Sequence, residues 1–345
     1  MRVLYYAQYD RRTGDGVVKK IVSQAKSWRR FSIDCLVLWH FPGGASDDSE
    51  VSVEYSRIKF PFKTLREILR FEPALVYVRY ASLNPLLLFL LFRYKCIFEV
   101  NGLAHEEVLS SQRRSFFQLI RYFWHRFSFF IITRSVVGVV CPTSELSQIF
   151  REGSALVVPN SIDIEAFPVI KRAEGVGRIA LFFMGTGGFD WHGVDYIEIL
   201  ASRLPEFDFH VIGEDGTSTE NLFYHGWMSR LEYREILKRC HICIGTLALH
   251  RRGLREAAPL KTREYIASGF PIIVNYQDTP EILARKWCLD LGGLSIFDSE
   301  EVVSIVRDFC FEFRDFILDD EQRCLVASDN IERARSDLFR KLASG

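Results

Sequence analysis

Short runs of consecutive apolar residues recur along the chain, separated by longer stretches in which apolar positions return every three or four residues. The runs at 3–7, 34–39, 75–79, 96–100, 136–141 and 156–158 are too short for helices. Strands buried on both faces of a parallel sheet show this unbroken apolar character. Helical periodicity fills the gaps at 17–30, 65–70, 85–92 and 113–134. A charged loop at 167–177, holding Pro168, Gly175 and Gly177, is followed by a restart of the pattern. Strands are then expected at 180–184, 207–212, 222–225, 241–245 and 272–274, with helices at 194–202, 230–238, 260–268 and 280–284. The final stretch is charged and helical. Such alternation predicts an α/β protein, with parallel sheets covered by helices on both faces. It also predicts two domains, 1–167 and 178–325, and a terminal helix within 326–345.

The 113–134 helix departs from the usual amphipathic form. Its polar stripe is Arg114, Gln118, Arg121, His125 and Ser128, and Phe117, Ile120, Phe123, Trp124, Phe127 and Phe130 fill the remainder. Two readings are open: a core helix of the first domain, or a helix settled at a membrane interface, with arginines on lipid phosphate and aromatics in the headgroup boundary. Both hold if different faces serve different roles.

Totals narrow the picture modestly. A chain of 345 residues exceeds the usual single core, and 48% apolar with 26% charged residues describes an ordinary globular protein. The formal net charge of zero hides an imbalance of +6 over residues 1–166 and −6 over the rest, which suits an anionic substrate or surface for the first half. The eight cysteines lie mostly inside apolar segments and read as reduced core residues. Cys240-His241-Ile242-Cys243 lacks a second ligand pair and sits in a strand-like run, so it is not read as a zinc site. The first ten residues read as a strand, not a signal peptide, and no apolar segment is long enough to span a bilayer. A cytoplasmic protein is expected.

The most chemically informative stretch is 256–271, EAAPLKTREYIASGFP. Pro259 has a fixed φ and no amide hydrogen, so a helix should begin near Leu260. The amides of Leu260, Lys261 and Thr262 then lack intrahelical partners and form an anion site, strengthened by the helix dipole and the Lys261 ammonium. Glu264 lies one turn inside, placed to accept two hydrogen bonds from vicinal hydroxyls. Glu256 stays on the loop before the helix, and Gly269 provides the stop. The spacing suits a nucleoside diphosphate sugar; two solvated acids on a surface helix are the plain alternative.

This stretch resembles the E-x7-E signature of glycosyltransferase family 4, whose retaining enzymes have the GT-B fold: two Rossmann-like domains with parallel sheets facing a cleft. The resemblance implies that Glu264 holds the ribose, Glu256 contacts the donor sugar, and residues 257–262 bind the diphosphate. It extends to Val158-Pro159-Asn160-Ser161-Ile162-Asp163, similar to a cleft-lining segment of that family, and to Gly185-Thr186-Gly187-Gly188, a glycine-rich turn after the first strand of the second domain. The family commonly places Arg and Lys where this chain has Thr186 and His192. Imidazole carries only partial charge near neutral pH, so neutralisation of phosphate shifts toward Lys261 and the amides. In the first domain the resemblance puts Gly14 and Gly16 before the substrate phosphates and acceptor, and His105 in a loop against the donor sugar. It also has the terminal helix cross back to the first domain.

The implied function is a retaining hexosyltransferase, acting from a nucleotide sugar on a saccharide or lipid-linked acceptor in bacterial cell-envelope, lipopolysaccharide or exopolysaccharide synthesis, peripheral on the inner face of the membrane. Catalytic roles fall on Glu256, His105 and Lys261. With no D-x-D sequence present, no metal or cofactor is expected, and nothing points to nucleic acid. A GT-B-fold sugar-nucleotide epimerase and a catalytically weak partner protein are the competing readings.

Overall fold

The computed structural model describes residues 1–10, 15–41, 52–54, 62–79, 82–103, 116–151, 153–172, 177–294 and 297–344. The chain forms two compact units, Met1–Pro159 with Ile331–Gly345, and Asn160–Asn330. The 167–177 loop lies within the second unit. Phe167 and Ile170 are buried in that unit's core, which is why its charge and glycines do not mark the division.

In the first unit, strands β1 (Arg2–Asp10), β2 (Asp34–Phe41), β3 (Ser52–Glu54), β4 (Leu75–Arg79), β5 (Cys96–Glu99), β6 (Gly138–Cys141) and β7 (Ala155–Val157) form one sheet. Its order is β3-β2-β1-β4-β5-β6-β7, and every pairing is parallel. Helices α1 (Asp15–Arg30), α2 (Phe62–Phe71), α3 (Pro85–Arg93) and α4 (Phe116–Ser135) connect the strands. Strand side chains alternate between two cores. Leu4, Tyr6, Val76 and Val78 pack with Leu86, Leu87 and Leu90 of α3 and Ile132 of α4. Val3, Tyr5, Leu75 and Tyr77 pack on the other face with Ile21, Ala25 and Trp28 of α1 and with Phe339. This two-sided burial explains the unbroken apolar runs in the sequence.

Phe339 belongs to the C-terminal helix, Ser328–Ser344, which begins in the second unit and continues from Ile331 in the first. It is fixed there by a buried polar group. Trp28 Nε1 donates to Glu332 Oε2 at 2.8 Å, Gln24 Nε2 donates to Glu332 Oε1 at 3.3 Å, and Arg335 pairs with the same carboxylate. Arg335 also faces Glu99, which Lys20 and Arg79 both reach at 2.8 Å. Burial alone would raise the Glu99 pKa, but Arg79 and Lys20 hold it below the usual carboxylate range.

The second unit repeats the architecture with β8 (Ile179–Met184), β9 (Phe207–Ile212), β10 (Leu222–Tyr224), β11 (Ile242–Ile244), β12 (Ile272–Val274) and β13 (Cys288–Asp290), in the order β10-β9-β8-β11-β12-β13 and all parallel. Its main helices are α5 (Val194–Arg203), α6 (Arg230–Leu237), α7 (Leu260–Ala267) and α8 (Glu300–Phe313). Strands β3 (SVE) and β13 (CLD) escaped the sequence reading because polar residues break their apolar character and leave no run to recognise.

Helix α4 differs from the core reading. Ser128, from the supposed polar stripe, is fully buried and accepts a hydrogen bond from Leu83 N at 3.0 Å, while Phe117, Phe123, Trp124, Phe127 and Phe130 are exposed. Only Ser128 and Ile132 of this helix are buried. Among the described residues, no helix is long and apolar enough to cross a membrane.

The Glu332 cluster yields a test. Glu332→Ala leaves the Arg335 guanidinium and the Trp28 indole without their buried acceptor and is expected to cost about 3–5 kcal/mol. Chemical denaturation checks this; a loss below about 1 kcal/mol would mean that the C-terminal helix does not depend on the Glu332 cluster.

Candidate functional site

The site elements of the second unit converge at the C-terminal ends of β8 and β9. Strand β8 is followed by the glycine-rich turn, where the Gly185 amide donates to Ile212 O at 3.0 Å. Gly213, directly after β9, has φ +86°, and a Cβ placed on it would lie 1.8 Å from the Gly185 carbonyl oxygen. A Cβ on Gly187 would come within 2.9 Å of the Gly213 carbonyl oxygen. The two turns are therefore nested backbone against backbone, and only glycine fits at the point of approach. Thr186 and Gly187 are exposed on the outer side of this nest.

A single helical turn, Asp190–His192, then closes on Gly193 at φ +73°. Leu247 N donates to His192 O at 3.1 Å, which pins the turn. His192 is buried, with its ring 5.8 Å from Phe183, 5.9 Å from Phe189 and 4.2 Å from Trp191. Its Nδ1 lies over Gly185, 2.6 Å from where a Cβ would stand, and has no hydrogen-bond partner. Burial first, and the Lys261 charge second, drive its pKa down to about 2. His192 is thus neutral, in place of the partly charged imidazole expected from sequence; it offers a hydrogen bond, not a charge.

Helix α7 begins after Pro259, whose φ of −70° suits the helix entry. Arg263 is the first residue to bond back, its amide reaching Pro259 O, which leaves the amides of Leu260, Lys261 and Thr262 without intrahelical partners. Lys261 is partly exposed as a residue, but its amine is buried without a hydrogen-bond partner, 4.2 Å from the centre of the Phe183 ring. Burial pushes its pKa down to about 7, against the opposing pull of Glu214. Glu214 accepts from Gly188 N at 3.3 Å and so borders the same turn. Lys261 Nζ and His192 Nδ1 therefore both approach Phe183 beside Gly185. Two buried nitrogens left unsatisfied beside a helix start are an arrangement able to receive an anion.

Four consecutive residues of α7 are directed to four different partners. The Thr262 hydroxyl donates to Pro259 O at 3.1 Å and meets Tyr276 Oη at 2.8 Å, so only its amide is on offer to a ligand. Arg263 makes a double contact with Asp278, at 2.5 and 2.6 Å, and donates from Nε to Asn160 O at 3.1 Å. Glu264, half-buried, accepts from the Tyr233 hydroxyl on α6. Tyr265 accepts from Met184 N at 2.9 Å and ties the helix to the last residue of β8.

Glu256 forms an isolated parallel bridge with Gln277, with Ala257 N donating to Gln277 O at 3.0 Å and Gln277 N to Arg255 O at 2.8 Å. Asn160 Nδ2 donates to Ala258 O at 2.6 Å, so this side chain braces the loop that carries Glu256. Gly16 is the second residue of α1 in the first unit and is exposed. Gly14 and His105 lie outside the described residues. No group of three His, Cys, Asp or Glu side chains able to hold a metal ion occurs among the described residues.

Sequence reasoning missed Gly213, Tyr233 and Asp278. Gly213-Glu214-Asp215-Gly216 follows an expected strand, so the logic applied to Gly185 could have found it. Tyr233 and Asp278 carry no local signal, because their partners are distant in sequence.

The nested turns make a structural prediction. Gly213→Ala combines a left-handed backbone with a direct clash on Gly185 O, and is expected to destabilise the protein by at least about 2 kcal/mol. Denaturation measures this; a near-neutral change would show that the nest is not rigid.

No protein-family model and no curated protein sequence matches the chain. Solved structures do. The chain is similar to sucrose-phosphate synthase from Thermosynechococcus elongatus, with a TM-score of 0.71 at 10% identity, covering 100% of this chain and 99% of that one. It is similar to the lipopolysaccharide outer core galactosyltransferase WaaB in its apo form, with a TM-score of 0.57 at 12% identity over 100% and 98%. It is also similar to UDP-GlcNAc 2-epimerase from Neisseria meningitidis bound to UDP-GlcNAc, with a TM-score of 0.54 at 14% identity over 99% and 100%. At these identities the likeness is one of fold, and the fold is GT-B.

Proposed function

We propose that the chain is a retaining glycosyltransferase of family 4 type, moving a sugar from a nucleoside diphosphate to a saccharide or lipid-linked acceptor of a cell-envelope or exopolysaccharide pathway. The observation that carries this reading is the pair of buried, unsatisfied nitrogens, Lys261 Nζ and His192 Nδ1, beside Gly185 and the start of the helix bearing Glu264. A diphosphate there would accept from Lys261, from the amides of Leu260 and Thr262 and from the Gly185-Thr186-Gly187 turn, with His192 adding a neutral hydrogen bond. Glu264 would hold the ribose and Glu256 the sugar ring. His105, Gly14 and Gly16 are assigned to the donor sugar and acceptor side from the family resemblance alone.

Departure of a nucleoside diphosphate leaves charge developing on its β-phosphate, and fixed donors aimed at that oxygen lower the barrier. The acceptor would attack on the leaving-group face, so no covalent nucleophile and no metal enter the proposal. The UDP-GlcNAc bound by the epimerase of the same fold supports a uridine nucleotide as the first donor to try.

The deciding experiment incubates the purified protein with UDP-sugars, with and without saccharide acceptors, and follows product by NMR. Transfer with the donor's anomeric configuration kept supports the proposal; inversion removes its retaining part. An epimerised donor formed without acceptor would replace it by the epimerase reading. Absence of binding to any UDP, GDP, dTDP or ADP sugar would remove the donor site.

Two quantitative outcomes follow. A carboxylate accepting two ribose hydroxyls contributes roughly 1.5–3 kcal/mol per bond at most. Glu264→Ala is therefore expected to weaken donor binding about 10- to 100-fold in calorimetry with the fold intact, and normal affinity would refute the ribose contact. The second concerns pH. Between the Lys261 value of about 7 and its ordinary 10.5, the unfolded chain holds a proton that the folded one lacks, so unliganded stability rises across that window. An anion at Nζ reverses this preference: binding near pH 8 should take up roughly one proton, and affinity should fall as pH climbs. Titration of UDP-glucose in buffers of different ionisation heats reads the uptake directly, and Lys261→Met should abolish it.

A further inference from the structure

We infer that the outward side of α4 is a docking surface for an anionic membrane, into which its aromatic side chains insert. The helix is mounted inside out. The positions turned toward the protein are Gln118, Tyr122, His125, Ser128, Phe129 and Ile132, at three- and four-residue spacing. They are held by the Leu83 N to Ser128 hydrogen bond and by packing of Phe129 against Phe98 and Phe150. The positions turned to solvent are the larger and more apolar ones: Phe116 and Phe117 are 73% and 80% exposed, with Ile120, Phe123, Trp124, Phe127 and Phe130 following along the helix. Helix α3, which shares a core cluster with α4, adds Phe92 at 99% exposure. Exposed aromatics of this number on one element mark an interaction surface.

Charge identifies the occupant. The described helix, FFQLIRYFWHRFSFFIITRS, contains no Asp or Glu, and its exposed cations are Arg121, Arg126 and Arg134. Arg134 lies 3.6 Å over the Phe130 ring, and Arg126 donates to Tyr122 Oη at 3.0 Å, so the guanidiniums stay beside the rings they accompany. A second copy of the chain would press the arginines of both helices into one apolar interface with no acid from either helix to meet them, an arrangement that desolvates like charges. Lipid phosphates supply the missing anions at the depth where aromatic side chains enter the headgroup boundary. The helix is too polar to span, so it would lie in the plane of the interface. Nothing in this inference depends on the donor site.

The test is flotation of the full-length protein with vesicles of phosphatidylcholine alone and of phosphatidylcholine with 30% phosphatidylglycerol, a composition set by the experiment. Binding at least about tenfold stronger to the anionic vesicles, weakened by salt, is expected. Phe117→Ser with Phe123→Ser should remove binding to both compositions, and Arg121→Gln with Arg126→Gln should remove the preference for anionic lipid. These side chains face solvent, so the variants should keep the parent melting temperature. Trp124→Phe should lose the fluorescence quenching given by brominated lipid. Equal binding of parent and aromatic variant, or no binding to either vesicle, would overturn the inference. So would a lipid-free dimer that the aromatic variant dissolves, since that result gives the face to a second copy.

Discussion

Arg263 and Asp278 form a fully buried double contact on which the geometry of the candidate site rests. Burial opposes the guanidinium's charge, and the Asp278 carboxylate more than restores it. Such a pair adds little net stability over apolar packing of equal volume, although losing one partner is costly. Its contribution is placement. Asp278 follows β12, Arg263 lies in the second half-turn of α7, and Arg263 Nε reaches back to Asn160 O at the start of the second unit. Asn160 in turn holds Ala258 O, inside the loop between Glu256 and the helix. One ion pair thereby braces the helix against the loop that carries Glu256. The neighbouring residues complete the constraint: Thr262 is tied to Tyr276, Glu264 to Tyr233 and Tyr265 to the end of β8. A helix anchored on every side cannot rotate to relieve the burial of the Lys261 amine, so that cost stays in the unliganded fold.

That frustration is the electrostatic character of the site. Lys261 and His192 are each pushed toward neutrality by desolvation, and the Lys261 charge lowers His192 further. The site responds by dividing labour: the imidazole stays neutral at any ordinary pH, and the amine remains able to gain a proton when an anion arrives. A neutral histidine at this position therefore offers a hydrogen bond without adding fixed positive charge. Glu214 at the edge of the turn reduces the field further. An anion held here would depend on amides and one inducible charge, and its binding would be sensitive to pH in a way that permanent guanidinium charges would not make it.

Much of this architecture was legible in the chain. The strands at 75–79, 207–212 and 272–274 match Leu75–Arg79, Phe207–Ile212 and Ile272–Val274, because continuous apolar runs bounded by turns leave few alternatives. The helix start near Leu260 followed from the stereochemistry of Pro259 alone. What escaped was whatever depends on partners far apart in sequence. Tyr233 lies 31 residues from Glu264 and Asp278 lies 15 from Arg263, and neither pairing leaves a periodic trace. The neutrality of His192 was equally hidden, since it arises from three aromatic rings and a lysine assembled by the fold.

Helix α4 shows why periodicity finds a helix more readily than its orientation. A 3.6-residue pattern states that two faces differ, and the assumption that the apolar one turns inward comes from water being the only solvent considered. Here the inward face is chosen by fit: Ser128 is small enough to reach Leu83 N, and Phe129 and Ile132 fill the core cluster. Turning Phe123, Trp124 and Phe127 inward would bring large rings to positions now occupied by Ser128 and His125, in a layer already filled by Leu86, Leu87 and Leu90. Overpacking of that kind costs more than a fold of marginal stability tolerates. The aromatic side is left to an environment outside the fold, and the absence of any acid along it limits what that environment can be.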